Sequence, residues 1–184
     1  MAPAQPYAAP LEWGTGPRLF EMFLEPTCPF SVRAFNKIDA FLAAAGPDRV
    51  TVRIWLQSQP WHMFSPVIVR CVLAASTLPE GREAARKVLQ AVADHRLEFE
   101  FENHATGPNR EATPNAIIAR IEGYTGLSLV EAFEVPGLQH AIKRHARYGR
   151  QNGIHVSPTF MVDGLVDAKL GSGDPVEDWA AAFA

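Results

Sequence analysis

Cysteine is scarce. The 184 residues hold two, Cys28 and Cys71, too few for the disulfide scaffold on which small secreted domains rely. Long apolar runs are also missing: Val67-Ile68-Val69 breaks at Arg70, far short of the ~18 consecutive apolar residues of a membrane span. No block of like charge interrupts the chain, and 17 basic against 20 acidic side chains leave a formal net charge of −3. Neither a nucleic acid nor a membrane is therefore expected as a partner. A glycine-rich phosphate loop and a Gly-x-Ser-x-Gly elbow are both absent. His140 and His145 stand five apart among Lys143, Arg144 and Arg147, a spacing that sends them to different faces of one helix. They read as a solvated basic face, and no metal site is expected. The first ten residues lack both the basic and the apolar region of a secretory leader. Residues 1–17 are expected to form a mobile arm and the protein to be cytoplasmic, or periplasmic if a leader has been removed.

What remains is an ordinary globular composition, 47% hydrophobic and 20% charged, enough for one packed core in a domain that carries an insertion. Arg18–Glu25 is a short apolar run suited to a buried strand. From Pro29, the residues Phe30, Ala34, Phe35, Ile38, Phe41 and Leu42 recur at mostly three- and four-residue steps up to Gly46-Pro47, the pattern of one amphipathic helix. Val50, Val52, Ile54 and Leu56 alternate with polar or aromatic neighbours, the period of a second strand. Strand, helix, strand makes a βαβ unit with parallel strands.

Helices are then expected at Val67–Ala75 after a Ser65-Pro66 cap, from about Gly81 to Phe99, from Thr113-Pro114 to about Gly123, over Ser128–Phe133 and over Leu138–Gln151. Leu97-Glu-Phe-Glu-Phe-Glu102 alternates as a strand does, in competition with the helix there. Thr159–Val162 and Leu165–Leu170, joined by Asp163-Gly164, read as a hairpin, because Asp-Gly supplies the positive φ angles of a tight turn. Asp174-Pro175 caps a last helix through Trp179. The class is α/β, in the order β-α-β, a helical insertion of about a hundred residues, then β-β-α. Residues 18–60 and 153–184 must share one sheet, with 61–152 as an inserted helical lid.

The chemistry concentrates at Thr27-Cys28-Pro29-Phe30-Ser31. A cysteine between a strand end and a helix start faces unpaired N–H groups and the positive end of the helix dipole, which favours thiolate over thiol and lowers its pKa. A small buried apolar cysteine is the plainer alternative. Ser31 stands where a Cys-x-x-Cys pair has its second sulfur; it cannot form a disulfide but can donate a hydrogen bond to a thiolate. Val156-Ser157-Pro158-Thr159 places a proline at a strand entrance, where a cis bond would let Ser157 offer its backbone to an extended ligand. Cys71, among Val67, Ile68, Val69, Val72 and Leu73, reads as core.

Cys-Pro-Phe-Ser after a first strand, the helical insertion, and Gly153-Ile-His-Val-Ser-Pro158-Thr-Phe-Met-Val-Asp-Gly164 together resemble the DsbA-like branch of the thioredoxin superfamily. The resemblance covers the chain from Arg18 onward. It implies a thioredoxin-like fold with Cys28 as nucleophile and Pro158 as the cis-proline beside it, flanked by Pro29, Phe30 and Ser157 as substrate contacts. It also brings the loop carrying Trp61 and His62 toward the active-site face, and suggests Glu21 as an acid beneath the cysteine or an edge-exposed glutamate. Ser31 departs from the family's second cysteine.

The implied activity is a thiol-disulfide oxidoreductase or isomerase with one nucleophilic cysteine. It would act on disulfide-bearing or glutathionylated proteins or small thiols, need no resident cofactor, and use glutathione as co-substrate. Two other readings fit the same residues. One is a kappa-class-like glutathione transferase; the other is a redox-inactive peptide-binding or chaperone-like module.

Overall fold

The computed structural model describes residues 8–100, 103 and 106–184. Five strands form one sheet in the order β1-β3-β2-β4-β5: β1 Glu12–Gly14, β2 Arg18–Leu24, β3 Val50–Leu56, β4 Thr159–Val162 and β5 Leu165–Val166. β2 and β3 run parallel, as the βαβ reading requires, and every other pairing is antiparallel. In β2 both faces are covered, so its apolar run is nearly continuous. Phe20, Met22 and Leu24 join the main core, while Phe23 packs with Trp55, Ile154 and Met161 on the opposite face.

The arm expected over residues 1–17 lies outside the described residues up to residue 7. From Leu11 it is not an arm: Leu11 and Trp13 are buried, and Glu12–Gly14 pairs with β3. Trp13 has enough apolar area to fix a short edge strand against the core. The first helix is two, α1 Pro29–Phe35 and α2 Ile38–Ala45. The break falls at Asn36-Lys37, where the Lys37 ammonium donates to the carbonyls of Ser172 and Asp174 at 2.8 and 2.6 Å. Asp163 and Gly164 both have positive φ, 47° and 85°, the geometry of the tight Asp-Gly turn.

The helices α3 Ser65–Ala75, α4 Arg82–Asp94, α5 Pro108–Glu111, α6 Pro114–Thr125 and α7 Leu138–Gln151 fall between β3 and β4, and α8 Val176–Ala181 closes the chain. α4 stops at Asp94, short of Phe99, and a 3-10 turn Arg96–Glu98 follows; residues 101 and 102 of the alternating segment lie outside the described residues. Glu131–Glu134 is likewise a 3-10 turn in place of the helix expected over Ser128–Phe133. The inserted helices share one core with the sheet, running from Phe20 and Ile54 to Ile68, Val72, Val88 and Ile117. Cys71 is fully buried in α3, and burial pushes its thiol up to about 12.

His145 corrects the basic-face reading. It is buried against β3, accepting the Leu56 N–H on Nδ1 at 2.9 Å, and burial lowers its pKa to about 3. His140, five residues earlier on α7, stays exposed. Among the described residues no cluster of three or more His, Cys, Asp or Glu could hold a metal, and no helix is long and apolar enough to cross a membrane.

Phe20 lies at the centre of an aromatic cluster, its ring 4.8 Å from Phe41, 5.4 Å from Phe183 and 5.6 Å from both Phe160 and Trp179. These residues come from β2, α2, β4, α8 and the C-terminal residues. Phe20→Ala is expected to cost about 3–5 kcal/mol in urea unfolding; a loss below about 1 kcal/mol would show that the cluster does not hold these elements together.

Candidate functional site: a thiol against a cis-proline

β2 ends at Leu24, and Glu25-Pro26-Thr27 turns the chain into α1. The Cys28 N–H donates to the Glu25 carbonyl at 3.1 Å, with Pro26 at the turn position its ring favours. Cys28 is then the N-cap of α1, with extended backbone at φ −68° and ψ 125°. Pro29 has no N–H, and the Val32 N–H is taken by the Cys28 carbonyl at 2.9 Å. The Phe30 and Ser31 N–H groups have no partner within the helix and aim their partial positive charge toward the cap.

The opposite wall comes from 129 residues away. The Ser157–Pro158 peptide bond is cis, and the Cys28 thiol donates to the Ser157 carbonyl oxygen across 3.6 Å. β4 begins at Thr159 and pairs with β2 from Phe23↔Thr159 to Phe20↔Val162, which brings the end of one strand and the entrance of the other to the same edge. Pro29, Phe30, Trp61 and Val156 are exposed on the three segments that meet there.

Ser31 does not reach the sulfur. Its oxygen accepts the Glu25 N–H at 3.2 Å and the side chain is buried, so the expected hydrogen bond to a Cys28 thiolate is replaced by one that ties α1 back to the strand end. His62 is likewise corrected: it is turned inward and is not a substrate contact. Its Nδ1 lies 2.9 Å from Thr27 Oγ1, 3.3 Å from Glu25 Oε2 and 3.6 Å from Glu100 Oε2. Two buried carboxylates draw the imidazole in and leave its neighbour Trp61 at the surface.

Glu21 is fully buried. It accepts hydrogen bonds from Trp55 Nε1 at 2.7 Å and Tyr148 OH at 3.2 Å, with Arg53 at 3.7 Å. Its partners belong to the sheet and α7, and none of them is the thiol.

The acid beside the thiol is Glu25, which sequence reasoning passed over. It too is fully buried. Its Oε2 accepts both the Thr27 N–H and the Thr27 hydroxyl at 2.8 Å, and Arg96 reaches the Thr27 carbonyl at 3.4 Å. Burial raises the Glu25 carboxyl above its ordinary 4.5, against the pull of hydrogen bonds from Ser65 and Thr27. An acid set between a strand end and a proline was the available signal, since that position is enclosed once the strand is central.

The same fold recurs in solved structures. A Pseudomonas syringae protein provisionally named a protein-disulfide isomerase is 67% identical, with a TM-score of 0.92 over 95% of this chain and 97% of its own. The chain belongs to the family of this protein-disulfide isomerase, the thiol-disulfide oxidoreductases, and has a thioredoxin-like fold. DsbA2 of Pseudomonas aeruginosa shares the fold at 15% identity and TM-score 0.63, over 98% of this chain and 94% of its own. A periplasmic thioredoxin-like protein of Salmonella enterica does so at 15% and 0.63, over 96% and 88%. No protein-family model and no curated protein matches the chain. Nothing in these similarities supports the cytoplasmic placement expected from the sequence.

The buried acid of this site gives a pH dependence with a definite sign. A carboxyl whose folded pKa is raised binds more protons in the folded state, so its contribution to stability is fully present below the ordinary 4.5 and is lost as pH rises through the raised value. Glu25→Gln removes that loss. Its stability relative to the wild-type protein, followed by urea unfolding from about pH 4 to 8, should improve as pH rises; a pH-independent difference would mean that the carboxyl ionises as freely inside as outside.

Proposed function

We propose that Cys28 works alone, through mixed disulfides that an external thiol resolves. The observation that carries the reading is the thiol set against the Ser157 carbonyl at the cis-proline, with a serine at the second motif position and Cys71 sealed in the core. Both cysteines are free.

In the first step the Cys28 thiolate attacks one sulfur of a substrate disulfide. The new S–S bond forms as the old one breaks, and the departing sulfur leaves with the electron pair and takes a proton from water. Ser157 offers its backbone to the substrate in the manner of an added strand, which aligns the bond under attack. In the second step the thiolate of a small thiol, with glutathione as the expected class, attacks the sulfur bonded to Cys28; a new disulfide forms between the two external sulfurs as the bond to Cys28 breaks, and Cys28 leaves as the thiolate. The protein supplies the nucleophile and its alignment, and the second electron pair comes from the external thiol. Disulfide-bearing or glutathionylated proteins are the proposed substrates, and the exposed apolar side chains Phe30, Trp61 and Val156 suit an unfolded or extended segment.

Incubating the reduced protein with oxidised glutathione and measuring intact mass tests this directly. One glutathionyl group per chain is expected, absent from Cys28→Ser and removed by excess reduced glutathione. No adduct on the wild-type protein would overturn the reading, and conjugation of glutathione to an electrophile without an adduct would replace it with the transferase alternative.

A second experiment addresses the missing sulfur. Residues three apart in a helical first turn are neighbours, within reach of the ~5.5 Å Cα spacing of a disulfide. Oxidised Ser31→Cys should therefore expose one free thiol on denaturation, that of Cys71. Three free thiols would show that the buried position of Ser31 does not present a sulfur to Cys28.

A further inference from the structure

The loop from Gln57 to Phe64, between β3 and α3, inverts the usual surface pattern. Trp61 is 60% exposed, while the polar side chains of Gln59 and His62 are 4% and 8% exposed; soluble proteins normally bury the apolar and solvate the polar. The buried pair is spent on the two walls of the reactive centre.

Ser157 Oγ donates to Gln59 Oε1 at 2.8 Å, and Gln57 Nε2 donates to the Ile154 carbonyl at 3.2 Å, so two glutamines grip the segment that carries the cis-proline. Toward the thiol, the Thr27 hydroxyl donates to Glu25 Oε2 and can only accept from His62, which places the imidazole hydrogen on Nδ1. The two grips are joined within the loop, because the His62 N–H donates to the Gln59 carbonyl at 3.0 Å.

We propose that Gln59 and His62 are positioning residues of the thiol-disulfide reaction, two pins on one loop that fix the Cys28 sulfur relative to the Ser157 backbone edge on which an extended substrate lies. The proposal rests on the reading of Cys28 as the nucleophile. Attack on a disulfide requires the incoming sulfur in line with the bond that breaks, and a displacement of about 1 Å from such a geometry can cost two orders of magnitude in rate. The sulfur is carried by the turn after β2 and the edge by the loop before β4. Neither pin touches the sulfur, so a small alkylating agent that does not use the edge should be far less sensitive to them than a peptide disulfide is.

The test compares two second-order rates for each protein: alkylation of Cys28 by iodoacetamide, and thiolate release from a short peptide whose cysteine carries 2-nitro-5-thiobenzoate as a mixed disulfide. The ratio of peptide rate to alkylation rate should fall roughly three- to tenfold in Gln59→Leu and in His62→Leu, the range set by losing one hydrogen bond. It should return to within about twofold of wild type in Gln59→Glu, which keeps the acceptor for Ser157, and in His62→Asn, whose amide N–H replaces Nδ1–H. The double variant should lose less than the product of the two single losses, because both pins serve one loop. An unchanged ratio, including a parallel fall of both rates with thermal stability, would overturn the proposal, as would failure of the conservative variants to restore it. If His62→Leu does not fold, the Gln59 pair decides. Absence of Cys28 alkylation in the wild-type protein would sink the nucleophile reading itself, whereas normal alkylation with an unchanged ratio sinks only the pins.

Discussion

A buried carboxylate holds the reactive turn shut. Glu25 binds Thr27 twice through its side chain, and through its backbone it accepts from Cys28 and donates to Ser31. Four hydrogen bonds within seven residues leave the segment from strand end to helix start little freedom, and the proposed nucleophile sits within it. The arrangement is costly to bury, as the raised carboxyl pKa shows, and it persists because the Thr27 N–H and hydroxyl satisfy Oε2, which water would otherwise solvate. Remove those donors and the start of α1, the direction of the Cys28 side chain and the seat of His62 would all lose their reference.

The second requirement is long-range. The thiol and the carbonyl it meets lie 129 residues apart, and only the sheet brings them together. β4 lies antiparallel to β2, so its entrance sits at the end of β2. The inserted helices occupy the intervening sequence without separating the strands, because α3, α4 and α6 extend the same apolar core. This explains how so long an insertion is compatible with a close-set reactive centre: its cost in chain entropy grows slowly with length, and burial of its own apolar faces offsets it.

Much of this was legible in the residues, for identifiable reasons. Period-two alternation located β3, Asp163-Gly164 located the hairpin, and Pro29 after Cys28 located the helix start, because each is a local signal with a local cause. Leu11 and Trp13 were misread as part of an arm because three residues are too few to show a period. The split between α1 and α2 is tied to the carbonyls of Ser172 and Asp174, far along the chain, and His145 was judged by its charged neighbours when its helix face decided its burial. The apolar neighbours of Cys71 placed it in the core, where it is buried. The direction of the Ser31 and His62 side chains was not legible, since it is set by Glu25, whose burial follows only from the assembled sheet.

The loop that hides its polar side chains and shows its indole also gives the molecule a built-in optical reporter. Of four tryptophans, Trp13, Trp55 and Trp179 are buried and Trp61 alone stands in solvent. A soluble quencher therefore reaches the emission of Trp61 ahead of the other three, and on the proposed reading a segment settling beside Cys28 would cover the same ring. Occupancy of the surface can in this way be followed by light, separately from any exchange of sulfur.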